Sequence, residues 1–285
     1  MPQPIPPTEP RSLEELRRHY EIEKELATRL RQAAKAERPH LYNELYDELF
    51  QRVPELKEPP DPAVRAGAVA LEAQALTPFL ADETVFLEVG AGDCALALSV
   101  VGASRRVIAV EASAEVTAGV ESPPGFELRI TEGGALPLEN GSVDVAYSCH
   151  FLEHLHPEDA LDHLADVRRV LRPGGAYLVI TPNALWGPHD ISRYFDEVAT
   201  GFHLQEHTHV GLARAMRGAG FARTSVLRGI GRPPELKPLW PHALVETMLG
   251  ALPAGWARSV LEGLAGQRGA PPFRPLEQVK VVGFA

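Results

Sequence analysis

The sequence predicts an α/β fold: a mostly parallel sheet of seven strands with helices on both faces, a helical N-terminal extension, and a helical insertion before the last strand. Three observations predict it. From Thr84 onward, short apolar runs alternate with helical patterns, as in parallel sheets joined by crossover helices. The apolar run Val85-Phe86-Leu87 feeds a glycine turn, Glu88-Val89-Gly90-Ala91-Gly92, and a helix start, the usual construction of a nucleotide site. With 285 residues, 45% of them hydrophobic, the chain can fill one large core with additions.

Taken in order, residues 1–10 are proline-rich and are expected to be disordered. Ser12-Leu13-Glu14-Glu15 reads as a capping box opening a charged helix toward Ala36. Leu41, Leu45 and Leu49 recur every fourth residue beside Tyr42, Tyr46 and Phe50, which reads either as core packing or as a substrate lid or dimer face. Pro54 to Pro62 reads as a linker, and Asp61-Pro62 as the cap and first turn of an Ala-rich helix ending near Phe79. Strands are expected at 84–89, 106–111, 126–130, 143–148 and 176–181, with helices after the first, second, fourth and fifth. The helix after the fourth starts at Pro157 and places Leu161, Leu164, Val167 and Leu171 on one face. A further helix near Val210 to Ala219 leads to a strand at 222–228, and Gln278 to Phe284 is the last strand. Between them, three Pro-rich pieces surround an apolar helical stretch from Leu244 to Leu264, with Trp240 and Trp256 nearby. The implied organisation is an extension at 1–61, a core at 62–229, an insertion at 230–276 and a final core strand at 277–285.

The formal net charge of −10 disfavours nucleic acid and favours small molecules as partners. Two cysteines make no disulfide framework, and no signal peptide or membrane-spanning run is apparent, so a cytoplasmic setting is expected.

The glycine turn formally satisfies the dinucleotide pattern as Gly90-x-Gly92-x-x-Ala95. A pyrophosphate there would face Glu88 and Asp93, and like charges in a partly desolvated site repel. A cationic ligand suits these acids better. The region from about 84 to 229 resembles the class I S-adenosylmethionine-dependent methyltransferases, a Rossmann-like family. Glu88-x-Gly90-x-Gly92 matches the family's first motif, whose acid engages the methionine ammonium. Glu111, at the end of Val107-Ile108-Ala109-Val110, matches the ribose-binding acid. Glu132-Gly133-Gly134-Ala135-Leu136-Pro137 resembles the adenine segment, Gly141-Ser142-Val143-Asp144-Val145 the turn into the fourth strand, and Leu171-Arg172-Pro173-Gly174-Gly175 the approach to the fifth. The resemblance implies that Glu88, Gly90, Ala91, Gly92, Glu111, Ala112, Glu132, Gly133 and Ser148 line the cofactor, S-adenosyl-L-methionine. Two departures stand out: Cys94 replaces the third glycine and narrows the methionine end, and Glu132 replaces a common aspartate.

Ser148-Cys149-His150-Phe151-Leu152-Glu153-His154-Leu155 follows the fourth strand, at the sheet edge where open α/β folds place ligands. His150 is the leading candidate for a general base and also a substrate-wall residue; Glu153 and His154 read as orienting the loop. After the fifth strand, His189, Arg193, Tyr194 and Phe195 are candidates to hold an acceptor, with His189 a second catalytic candidate and Tyr46 a further acceptor contact. His203, Glu206, His207 and His209 match no metal-ligand spacing, and no metal is expected. The resulting expectation is methyl transfer to an oxygen or nitrogen of a small metabolite by a monomer or homodimer. A protein or RNA methyltransferase and a noncatalytic cofactor-binding partner module are the alternatives, and a nicotinamide oxidoreductase rests only on the formal glycine match.

Overall fold

The computed structural model describes residues 2–57, 61–131, 134–228, 233–251 and 278–285. Its centre is a sheet built from β1 (Val85–Val89), β2 (Arg106–Glu111), β3 (Phe126–Ile130), β4 (Val143–Cys149), β5 (Leu171–Pro182), β6 (Arg223–Arg228), β7 (Glu235–Lys237) and β8 (Gln278–Phe284). The strand order is β3-β2-β1-β4-β5-β8-β6-β7, with β1 to β5 mutually parallel where they pair and β8 antiparallel to both β5 and β6. The expected seven strands become eight because β7 adds an edge. It has three exposed residues after Pro233-Pro234, too short for an alternating pattern to mark it.

Two apolar layers cover the sheet. On one face α5 (Pro157–Val170) and α6 (His209–Gly218) bury Leu164, Val167, Leu212 and Met216. On the other, α3 (Pro62–Leu76) and the five-residue α4 (Ala95–Ser99) bury Leu76, Leu96 and Ala97. Leu161 departs from expectation and is exposed, because the buried stripe runs through Ala160, Leu164 and Val167. No helix forms after β2, where residues 114–119 are turns. Thr117 spends its hydroxyl on the Ser113 and Ala114 carbonyls and Gly119 takes a positive φ, so local side-chain bonds outcompete a helix. Directly after β5 the chain runs as loop from 183 to 208, with one 3-10 turn at Ile191–Tyr194 before α6.

At the N-terminus α1 (Leu13–Gln32) starts on the expected capping box, and α2 (Arg38–Arg52) follows. Leu26, Leu30, Leu45, Leu49 and Phe202 form a separate core between these helices and the loop after β5. Arg38, buried against α5, donates to Asp159 at 2.8 Å and to Glu158 at 2.6 Å. The described part of the expected insertion holds β7 and α7 (Trp240–Gly250); residues 252–276, with Trp256, lie outside the described residues.

Candidate active site

The carboxyl ends of β1, β2, β4 and β5 converge on one edge of the sheet, and each parallel strand delivers its next residues there. At the end of β1, Glu88 is buried and accepts the Ala97 N–H at 2.9 Å. Burial first, and then the neighbouring Glu72 carboxylate, raise its carboxyl to about 8. Glu72 projects from α3, accepts a hydrogen bond from the Tyr147 hydroxyl at 3.2 Å, and is itself raised by burial. Asp93 is neutralised by Arg65, which donates to it at 2.9 Å. The edge therefore holds two crowded acids, Glu88 and Glu72, with the hydrogen bonds of nearby Arg65 directed to Asp93.

Gly90 and Gly92 both adopt positive φ. A Cβ on Gly90 would lie 2.6 Å from the Phe151 ring, whereas one on Gly92 would meet nothing within 4 Å, so the chain passes beside open space there. Cys94 also takes a positive φ, 58°, the reason glycine is usual at that point. Its buried thiol is raised to about 11, by burial first and then Glu88, and stays protonated at neutral pH. At the end of β2, Glu111 accepts the N–H groups of Gly92 at 2.8 Å, Ala112 at 2.7 Å and Ser113 at 3.1 Å. Three backbone donors fix this carboxylate and leave lone-pair capacity for a ligand hydroxyl.

After β4 the backbone turns through His150 at φ 51°, a strained conformation for a residue with a Cβ, held by the surrounding structure. Its Nδ1 lies 3.1 Å from the Glu153 carboxylate. A carboxylate can only accept, so the ring proton sits on Nδ1 and Nε2 carries the lone pair, facing the Gln278 side-chain amide nitrogen at 3.2 Å. Glu153 is fully buried and also accepts from Thr181 at 2.9 Å. Burial would raise its carboxyl, and the lowering contacts, the bond from His150 foremost, outweigh it and hold the carboxyl down to about 2, so it is ionised at neutral pH.

The remaining sequence candidates divide. His189 donates from Nε2 to the Asn183 carbonyl at 3.0 Å, and its backbone N–H binds Glu206, so its ring is engaged in the loop. Ser148 is buried with its hydroxyl 2.8 Å from that of Tyr177, which commits the side chain to the α5 face of the sheet rather than to its edge. Tyr194 is 8% exposed against Leu16 and Ile191, and Arg193 lies over its ring, 4.7 Å from the centroid; both belong to the seam between α1 and the loop after β5. Tyr46 stacks on Phe202 with centroids 4.6 Å apart, and its hydroxyl lies 2.8 Å from His154 Nδ1. The Tyr42 hydroxyl receives the His156 N–H and donates to Asp159, so that ring closes the same seam. The stripe therefore packs between helices. Ala91 is buried and Ala112 half-buried beside the glycine turn, while Glu132 and Gly133 lie outside the described residues.

Three residues here escaped the sequence reading. Glu72 sits in an unremarkable Ala-rich helix and reaches the site only because α3 packs on the α4 side of the sheet. Gln278 begins the antiparallel β8, whose placement beside β5 no local pattern encodes. Lys280, opposite Ile180, is buried, which lowers its ammonium to about 8 while Cys149 and Glu72 pull the other way.

Comparison with known proteins matches residues 87–179 to a methyltransferase-domain family model. A Mycolicibacterium smegmatis protein named as an S-adenosylmethionine-dependent methyltransferase is 30% identical over 188 residues, which cover 64% of this chain and 70% of that one. The ubiquinone biosynthesis O-methyltransferase of Parvibaculum lavamentivorans is 28% identical over 144 residues, 49% of this chain and only 55% of that protein's length. Among solved structures, an S-adenosylmethionine-dependent methyltransferase from Thermotoga maritima superposes with a TM-score of 0.50 at 19% identity, covering 86% of this chain and 96% of that one, a likeness of fold.

Proposed function

The chain belongs to the class I S-adenosylmethionine-dependent methyltransferases, and from that membership we propose that it methylates an oxygen or nitrogen of a small metabolite, with His150 as general base. The supporting observation is the pair of fixed orientations at the β4 turn: Glu153 holds the proton on His150 Nδ1, and the Nε2 lone pair at the sheet edge faces the Gln278 amide nitrogen at 3.2 Å, a contact that the acceptor's proton would replace. The O-methyltransferase name of the Parvibaculum lavamentivorans relative favours oxygen. The charge of −10 supports a small acceptor over RNA. Among the described residues no helix is long and apolar enough to cross a membrane, and we place the reaction in the cytoplasm.

The residues fit the cofactor. Two crowded acids, Glu88 and Glu72, await a cation, the space beside Gly92 is open, and Glu111 retains acceptor capacity. S-adenosylmethionine supplies a methyl group on a positively charged sulfur that leaves as a neutral thioether. Glu88 would hold the ammonium and Glu111 the ribose hydroxyls. His150 Nε2 would take the acceptor's proton as its oxygen or nitrogen becomes nucleophilic, and Glu153 would stabilise the imidazolium so formed. Positioning supplies the rest, because an in-line displacement is faster when its partners are held in line.

Two binding predictions follow from the acids. Glu111→Ala removes charge-assisted hydrogen bonds worth about 1.5–3 kcal/mol, so S-adenosylhomocysteine affinity should fall by about 10- to 100-fold in calorimetry. Unchanged affinity would move the ribose away from Glu111. The second concerns pH. In the free protein Glu88 is largely protonated below about 8, and the ligand's ammonium favours its ionised form. Binding should therefore release a proton, and affinity should rise by up to about tenfold per pH unit before flattening above pH 8. Calorimetry in buffers of different ionisation enthalpy measures that release, and Glu88→Gln should abolish it. The stability linkage has its own sign. The folded carboxyl titrates above its unfolded value, so its contribution is complete below the unfolded value and is lost as pH rises through about 8.

A further inference from the structure

The expectation of no metal came from the spacing of His203, Glu206, His207 and His209 alone. Folding brings a different set together. Glu153 and His154, from the turn after β4, each place a potential ligand atom within 4.8 Å of one another and of one from His203, in the loop after β5. Glu153 is fully buried, and the other two are largely enclosed.

The hydrogen bonds around the two rings prepare them as ligands. His154 Nδ1 lies 3.2 Å from the Phe202 carbonyl. The same Nδ1 lies 2.8 Å from the Tyr46 hydroxyl, which can donate or accept; when Nδ1 carries the proton, the carbonyl and the Tyr46 oxygen both accept it and Nε2 offers its lone pair. His203 Nδ1 lies 2.8 Å from the Glu206 carboxylate, which fixes the same tautomer. Histidines that bind metals characteristically donate their other N–H to a carbonyl or carboxylate in this way. The two carboxylate oxygens of Glu153 keep lone pairs beyond the bonds from His150 and Thr181.

The surroundings are negative. Besides Glu206 at the His203 ring, Glu23 from α1 accepts the Phe202 N–H at 2.9 Å and Asp190 accepts the Gly201 N–H at 2.9 Å. The two rings stand edge to face with centroids 5.1 Å apart. They can share one cation, whereas two protons on them would repel.

We propose that Glu153, His154 and His203 bind one divalent first-row transition ion of the zinc type, joining the turn after β4 to the loop that carries residues 201–206. Two imidazoles and one carboxylate are a donor set that zinc accepts, with a fourth position left for water. Tetrahedral ligands at about 2.0–2.2 Å from zinc stand roughly 3.3–3.6 Å apart. The ligand atoms, all within 4.8 Å of one another, would close by at most about 1.2–1.5 Å to reach that spacing. The ion would replace two non-covalent seams with one coordination centre, and it would clamp the carboxylate that orients His150. The site does not depend on the identity of the acceptor.

Cobalt(II) is the probe, because its visible ligand-field absorption reports coordination independently of methyl transfer. The full chain, stripped with chelator and then titrated, should develop that absorption to saturation at one ion per chain. Zinc should abolish it by displacement and should raise the melting temperature, and chelator should reverse the rise. His203→Gln and Glu153→Gln should each lose the absorption and the zinc-dependent stabilisation. His242→Ala, in the separate His209 and His242 ring pair, should keep both. Absence of saturable absorption in the wild-type chain would overturn the site. So would absorption that survives His203→Gln and Glu153→Gln in variants shown to be folded by circular dichroism.

Discussion

His150→Ala should lower turnover by about 10²- to 10⁴-fold while leaving S-adenosylhomocysteine affinity nearly unchanged. The magnitude is that of losing a positioned base, and the separation from binding follows from the layout. Glu88 and Glu111 end β1 and β2, while His150 follows β4 and takes its partners from Glu153 and Gln278. The measurement is kcat across the pH range with a panel of hydroxyl and amine acceptors, alongside calorimetry of the product cofactor. Glu153→Gln provides the positioning control. It keeps an oxygen that can accept from Nδ1 but removes the charge that stabilises the imidazolium, so its loss should be smaller and should appear in kcat rather than KM. Full activity of His150→Ala at every pH would reduce the histidine to a wall residue. It would also favour an amine that is already neutral, for which proximity suffices.

Arg38→Ala should destabilise the protein by about 3 kcal/mol, the lower end of the cost of breaking a buried ion pair because Glu158 is largely exposed. The Arg38 side chain is 3% exposed, grips Asp159 through two nitrogens, and donates to the Ala33 carbonyl as well. Its loss leaves Asp159 with only the Tyr42 hydroxyl among the bonds described and opens the seam between α2 and α5. A cooperative melt should shift down by roughly 5–10 °C. Arg38→Lys should recover little, since one ammonium cannot reproduce a forked contact. An unchanged melting temperature, or separate melting of residues 1–61, would show that the N-terminal helices are not welded to the sheet.

These two outcomes probe different kinds of legibility. The acid and glycine turn after β1 was readable because its chemistry is local. A strand, an acid, two glycines and a helix start follow one another from Val85 to Ala95, and Glu111 ends the next strand at the position its apolar run announces. The strand positions were readable for the same reason, since apolar runs bounded by turns need no distant information. The helix expected after β2 failed where short polar side chains offered the backbone nearer partners, and β7 was missed because three residues carry no period.

The surroundings of the turn after β4 and the loop after β5 were decided by tertiary structure. His150 could be named from its place after β4, but its tautomer, and so its capacity as a base, depends on Glu153 in one direction and on Gln278, 128 residues away, in the other. Tyr46 and Tyr194 looked like ligand-facing aromatics, yet one stacks on Phe202 and the other packs on Leu16, because the loop after β5 folds back onto α1 and α2. Glu72 and Lys280 carry no local signal at all. Their unusual acidities come from burial, which neighbours on other elements partly offset, and burial is a property of the assembled layers. The sequence by itself determined the parallel sheet and the glycine turn that follows its first strand, for which nearest-neighbour chemistry suffices. Only the tertiary structure decided which histidines and acids meet, because the distances between them are set by how the loops after β4 and β5 pack against the N-terminal helices.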